Sequence, residues 1–183
     1  MPLFRHRAIR MAALLLLASS GTAVATVYYS KNEAFELAFG TGATVEPQPV
    51  FLSETQVTAI EKNAGTKLDS PLFTFYVGKR GTETLGYAAI ESHTVRTHPE
   101  TLLVVLSPRG ELAKIEVLAF HEPPEYQPPA RWFAQLLGKP LERLRFGESF
   151  DAISGATLSS NAALASARKV LAIHRVAFGP GVP

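Results

Sequence analysis

The chain has no cysteine, and only two methionines and one tryptophan, among its 183 residues. Without cysteine there is no disulfide, no thiolate metal site and no haem attachment motif, so stability rests on burial and any redox chemistry needs a borrowed cofactor. An excess of positive charge is also missing once the first 25 residues are set aside. They hold Arg5, Arg7 and Arg10 and no acid, so removing them takes Lys+Arg from 18 to 15 against 16 Asp+Glu. The basic isoelectric point therefore belongs to the N-terminal segment, and no nucleic-acid partner is expected. Repeats of solenoid period are absent, as are low-complexity tracts beyond the Gly/Pro tail at 179–183.

Long apolar runs are scarce too, with one exception. The three arginines precede the run that starts at Met11, and Ala23-Val24-Ala25 supplies the small residues a signal peptidase reads. Residues 1–25 are expected to be a signal peptide, or an N-terminal membrane anchor if they are not cut. The uncharged stretch from Met11 to Ser30 is about 20 residues, just enough to span a bilayer. In either case the arginines stay in the cytoplasm and the rest of the chain is expected in the periplasm or on the outer face of the cytoplasmic membrane.

The remainder of the chain has the length of one domain. Residues 33–39 have a helical pattern, and the Gly-, Thr- and Pro-rich stretch up to residue 50 reads as a tether leading into the domain. Ser53-Glu54-Thr55-Gln56 is a capping box, with Leu52 placed to staple onto Val57; it starts a helix that Asn63 or Gly65 ends. Four strands are expected at 72–77, 84–93, 101–106 and 111–120, all rich in β-branched or aromatic residues. Lys79-Arg80-Gly81 and Ser107-Pro108-Arg109-Gly110 read as their hairpin turns. The prolines of the 121–129 segment forbid a helix interior or a central strand, which leaves an irregular loop. A helix at 130–137 comes next, stopped by Gly138. A last helix at 159–176 buries Ala163, Leu164, Ala167, Val170 and Leu171, and turns Asn161, Arg168, Lys169 and Arg175 to water. The fold class is α+β: an antiparallel sheet of about four to six strands packed with helices, over residues 51–178.

His93, His98 and His121 are scattered without ligand-grade spacing, so no metal is predicted, and no Ser/His/Asp or paired-carboxylate arrangement stands out. The chemistry concentrates instead at 151–160. Ser154, Gly155 and Ala156 form a small-residue turn and Thr157 supplies an alcohol, while the helix beyond presents unpaired N–H groups and its positive dipole end to an anion. By itself such a turn is equally a plain helix cap. Ser159 and Ser160 can donate to phosphate oxygens or cap the helix. Asp151, which would repel a phosphate, fits better as a brace for the turn or as a feature read by a modifying enzyme.

The run Asp151-Ala152-Ile153-Ser154-Gly155-Ala156-Thr157 meets, without substitution, the pattern Asp, two variable residues, Ser or Thr, Gly-Ala-Thr. In this it resembles the attachment sequence of the FMN-binding domains in the C subunit of the sodium-pumping NADH:quinone reductase and the G subunit of the Rnf complex. The order of hairpin-rich sheet, His/Glu/Pro loop, helix and turn extends the resemblance over roughly residues 50–177. It implies FMN joined to Thr157 through a phosphoester, made by an FAD:protein FMN transferase. Ser154, Gly155, Ala156, Leu158, Ser159 and Ser160 would then surround the phosphate, with Asp151 as a motif residue. Where the transporter subunits have Glu-Thr-Pro-Gly, this chain has Glu122-Pro123-Pro124-Glu125, which points to a stand-alone exported carrier.

For the flavin ring, Tyr126 in the loop is the candidate contact, whereas Trp132 and Phe133, at helical spacing, read as core. The resulting expectation is an exported electron-transfer flavoprotein, with membrane or periplasmic redox proteins as partners. The alternatives are an FMN-dependent reductase of a small extracytoplasmic acceptor, or a structural or binding domain without flavin.

Overall fold

A computed structural model of the chain describes residues 26–145, 153 and 155–179. The proposed export segment at 1–25, Asp151 and Ser154 of the motif, and the tail at 180–183 lie outside the described residues. In chain order the elements are β1 (Thr26–Val27), α1 (Lys31–Phe39), β2 (Thr44–Phe51), α2 (Glu54–Ala64), β3 (Leu72–Arg80), β4 (Glu83–Thr94), β5 (Pro99–Leu106), β6 (Leu112–Phe120), α3 (Ala130–Ala134) and α4 (Thr157–Phe178). Among the described residues no helix is long and apolar enough to cross a membrane.

The strands form one antiparallel sheet in the order β1-β6-β5-β4-β3-β2, so the fold is α+β as expected. Four of the six are joined by hairpins. At the β5–β6 turn Gly110 N–H donates to Ser107 C=O (2.9 Å) and Ser107 N–H to Glu111 C=O (2.8 Å). Because side chains alternate across a strand, the central strands feed two cores. Phe75, Ala89, Leu102, Val104 and Leu106 pack under α2 and α4, with Trp132, Phe133 and Leu136 in the same cluster. Ala88, Leu103, Val105 and Leu118 pack on the opposite face under Ala34 and Phe39 of α1. There the Phe39 ring lies directly on Gly78, where a Cβ would come within 2.3 Å of it.

The capping box of α2 forms as the sequence predicts. Ser53 Oγ accepts from Gln56 N–H and the Gln56 side chain accepts from Ser53 N–H, while Gly65 closes the helix in the left-handed region. A second capping box, at Ser30 and Glu33, starts α1 two residues earlier than the apolar pattern indicates.

Three expectations are corrected. Residues 44–51, read as part of a tether, form edge strand β2, paired with β3 along its whole length. Pro47 and Pro49 argue against a central strand, but an edge strand needs donors on one side only, and prolines there block further pairing. Helix α4 starts at Thr157 instead of residue 159. Finally, Arg168 and Lys169 do not face water: both are half-buried and anchor α4. Arg168 donates to the carbonyls of Ala64 (2.7 Å), Asn63 (2.7 Å), Leu144 (2.8 Å) and Leu141 (3.3 Å), tying α2 and the 141–144 turn to α4. Lys169 forms an ion pair with buried Glu91 of β4.

Candidate functional site

The N-terminal end of α4 is held between the sheet and the loop after β6. Upstream, Ala156 N–H donates to Ile153 C=O (3.1 Å), closing a turn that holds Gly155. Gly155 sits at φ +88, a conformation that costs other residues about 1–2 kcal/mol. A Cβ on it would stand 3.8 Å from Glu125 C=O, in ordinary contact, so glycine is required there by the backbone and not by lack of space. The same distance shows that the turn rests against the 3-10 turn Pro124–Tyr126.

The buried Ala156 (2 % exposed) is the N-cap of α4, and among the described residues no side-chain hydrogen bond caps the helix. Ser160 N–H makes the first intrahelical bond, to Ala156 C=O (2.9 Å). The amides of Thr157, Leu158 and Ser159 precede it and point out of the helix end. Thr157 is exposed, and its Oγ1 donates to Ile153 C=O (3.1 Å). The hydroxyl proton therefore faces the turn and the oxygen lone pairs face away from that bond. Leu158 is 51 % exposed beside it.

The two serines of the motif are placed differently. Ser160 is fully buried and donates from Oγ to Ala156 C=O at 2.8 Å. Ser159 is fully buried too, with its Oγ lacking a hydrogen-bond partner among the described residues. Of the predicted cluster, Gly155, Thr157 and Leu158 are at the surface; Ala156, Ser159 and Ser160 support them from beneath. Trp132 and Phe133 are 2 % and 5 % exposed and pack edge to face in the core. Tyr126, half-buried, is in the 3-10 turn next to Glu125.

Sequence reading missed how this loop is fastened. Glu122 Oε1 accepts from the N–H groups of Thr97 (2.7 Å), His98 (2.9 Å) and Arg96 (3.0 Å) in the turn between β4 and β5. Those donors, Thr97 foremost, hold the Glu122 carboxyl down to about 2 despite its burial. With the turn so fixed, the Arg96 guanidinium lies 4.7 Å from the centre of the Tyr126 ring. Nothing in the sequence links residues 96 and 126; an acid at the mouth of a proline-rich loop was the only available signal.

His93, read as surface or packing, joins the two layers: Nε2 is 3.0 Å from Glu100 Oε2 and Nδ1 3.2 Å from Ser166 Oγ of α4. Among the described residues no three His, Cys, Asp or Glu side chains are grouped as a metal site would be.

An exposed hydroxyl and three forward-pointing amides at the start of a 22-residue helix suit the phosphate of a nucleotide-like cofactor. Gly155 keeps the approach free of a side chain. Comparison with known families gives one match: residues 97–172 fit the FMN-binding domain. No curated protein and no solved structure matches the chain. The matched stretch begins at Thr97, directly after Arg96, and runs through Glu122, Tyr126 and the Gly155 turn into α4. Over residues 97–172 the chain is therefore similar to the FMN-binding domain family.

Proposed function

We propose that the chain is an exported flavoprotein that carries FMN as a phosphoester on Thr157 and passes electrons between membrane or periplasmic redox proteins. The observation that carries this reading is the placement of Thr157. Within an FMN-binding domain, it is the residue that presents a surface hydroxyl at the N-terminal end of a long helix, directly after the turn made by a glycine at positive φ and Ala156.

Attachment by an FAD:protein FMN transferase is a balanced group transfer. Thr157 Oγ forms a bond to the FMN phosphorus of FAD, the pyrophosphate P–O bond breaks, AMP leaves, and the hydroxyl proton passes to the transferase or to water. That proton is shared with Ile153 C=O before reaction, so the bond to Ile153 is given up as the ester forms. The diester keeps one negative charge, which the first-turn amides and the helix dipole favour by about 0.3–1 kcal/mol at an exposed site. Burial of Ala156, Ser159 and Ser160 fixes the backbone that presents Thr157. Bound FMN supplies one- and two-electron chemistry that a chain without cysteine lacks.

Export rests on the arginine-led apolar segment and on the small residues at Ala23-Val24-Ala25. The test of attachment is flavin fluorescence of the full chain, co-produced with a transferase and run on a denaturing gel. A band that survives SDS and vanishes in Thr157→Val is expected. A non-fluorescent wild-type band would reject the covalent link, and a fluorescent Thr157→Val band would reject the site.

A further inference from the structure

The site has a cation that attachment does not use. Three segments meet at it: the 95–98 turn, the 3-10 turn Pro124–Tyr126, and residues 155–157 at the start of α4. Of the acids here, Glu125 is exposed on the 3-10 turn, and Glu122, two residues before that turn, is spent on three backbone N–H groups and on His98, whose Nδ1 is 3.6 Å from its second oxygen. Arg96 makes no ion pair among the described residues. Its guanidinium is exposed and is placed by the Tyr126 ring beneath it and by the Glu122 bond to its own N–H. A long flexible side chain is thereby held over one ring, an entropy cost that the free protein has already met.

Contacts connect this cation to the attachment point. Gly155 turns the side that would bear its Cβ toward Glu125 C=O, Tyr126 is the next residue of the same turn, and Arg96 lies on Tyr126. The phosphodiester has its own donors in the first turn of α4, so Arg96 is left for the other part of FMN that bears charge. Uptake of two electrons and one proton leaves the isoalloxazine with a negative charge on its pyrimidine edge, and a nearby cation favours that charged form.

We infer that Arg96, laid on Tyr126 and braced by Glu122, faces the pyrimidine edge of the flavin and favours its reduced form. The inference rests on the reading that Thr157 carries FMN. Arg96 is a tuning residue here, with no part in attachment.

The experiment is a redox titration of the full-length flavinylated protein, wild type against Arg96→Gln and Arg96→Lys, with in-gel fluorescence and circular dichroism on each. In Arg96→Gln the label is expected to persist and the reduced-to-oxidised ratio at a given potential to fall about tenfold, which is ~30 mV for a two-electron couple. Arg96→Lys should recover part of that shift, because the charge remains while the planar stacking is lost. An unchanged potential in labelled Arg96→Gln would overturn the inference. So would loss of the label in a folded variant, since Arg96 would then serve the phosphate or the transferase. If the wild type carries no covalent flavin, the Thr157 reading fails separately, and the titration is repeated with FMN added to saturation. The same shift there would still support Arg96; no binding or no shift would overturn it.

Discussion

The two ends of α4 are built on opposite principles. Its first turn is open: Thr157 is at the surface, Leu158 is 51 % exposed, and among the described residues no side-chain hydrogen bond caps the helix. From Ala163 onward the helix is locked down, with Ala163, Ala167, Val170 and Ile173 fully buried and Arg168 and Lys169 spent on partners beneath and beside it. An attachment point must be reached by another protein yet stay fixed once loaded. The open turn meets the first need and the anchored shaft the second. Changes to the shaft should therefore cost stability and leave attachment to the folded protein intact; changes at the open end should cost less stability and impair attachment.

The largest stability loss is expected from Lys169→Met, which leaves Glu91 buried without its partner. Breaking a buried pair costs about 3–5 kcal/mol, measurable by urea unfolding. Burial pushes the Glu91 carboxyl up, and Lys169 pulls it part of the way back. A carboxyl raised in the folded state adds stability that is full below its ordinary range and is lost as pH rises through the raised value. Lys169→Met should widen that window, so that acid restores part of its stability; a variant as stable as wild type at neutral pH would break the comparison.

Arg168→Ala comes next, at about 2–3 kcal/mol, since four backbone carbonyls lose a charged donor. In the folded fraction its flavin label should match wild type, and a lost label would mean that the shaft shapes the acceptor directly.

A further loss is confined to acid. His174, near the far end of α4, is enclosed by Phe75, Tyr87 and Phe178, and burial lowers its imidazole to about 4. A depressed folded value gives stability that is complete above pH ~6.5 and disappears as pH falls toward about 4. Unfolding monitored across that range should show this step in wild type and not in His174→Gln.

Gly155→Ala should have the smallest effect on stability, about 1–2 kcal/mol from positive φ alone, with slower labelling as the turn shifts. Equal labelling rates would show that the turn's shape is not what presents Thr157.

Much of this was legible in the residues. Strong local signals placed the central strands, the capping box at Ser53 and the turn at Ser107, because each depends on neighbours in sequence. The seven-residue motif marked the site for the same reason. Strand β2 was hidden because Pro47 and Pro49 argue against a strand until its edge position is known. Arg168 and Lys169 were hidden because polar residues on a helix point to water by default, and their partners lie on other elements. Arg96, Glu122 and Tyr126 come together only through tertiary folding, across separations that no local pattern records.

If the open turn carries the cofactor, it does so through one oxygen. Intact mass of the full chain, purified after co-production with an FAD:protein FMN transferase, tests this most directly, alongside Thr157→Val. A gain of one FMN phosphoester is predicted in wild type, found by peptide mapping on Thr157, and none in the variant. An unmodified wild type, or a variant still bearing the added mass, would contradict it.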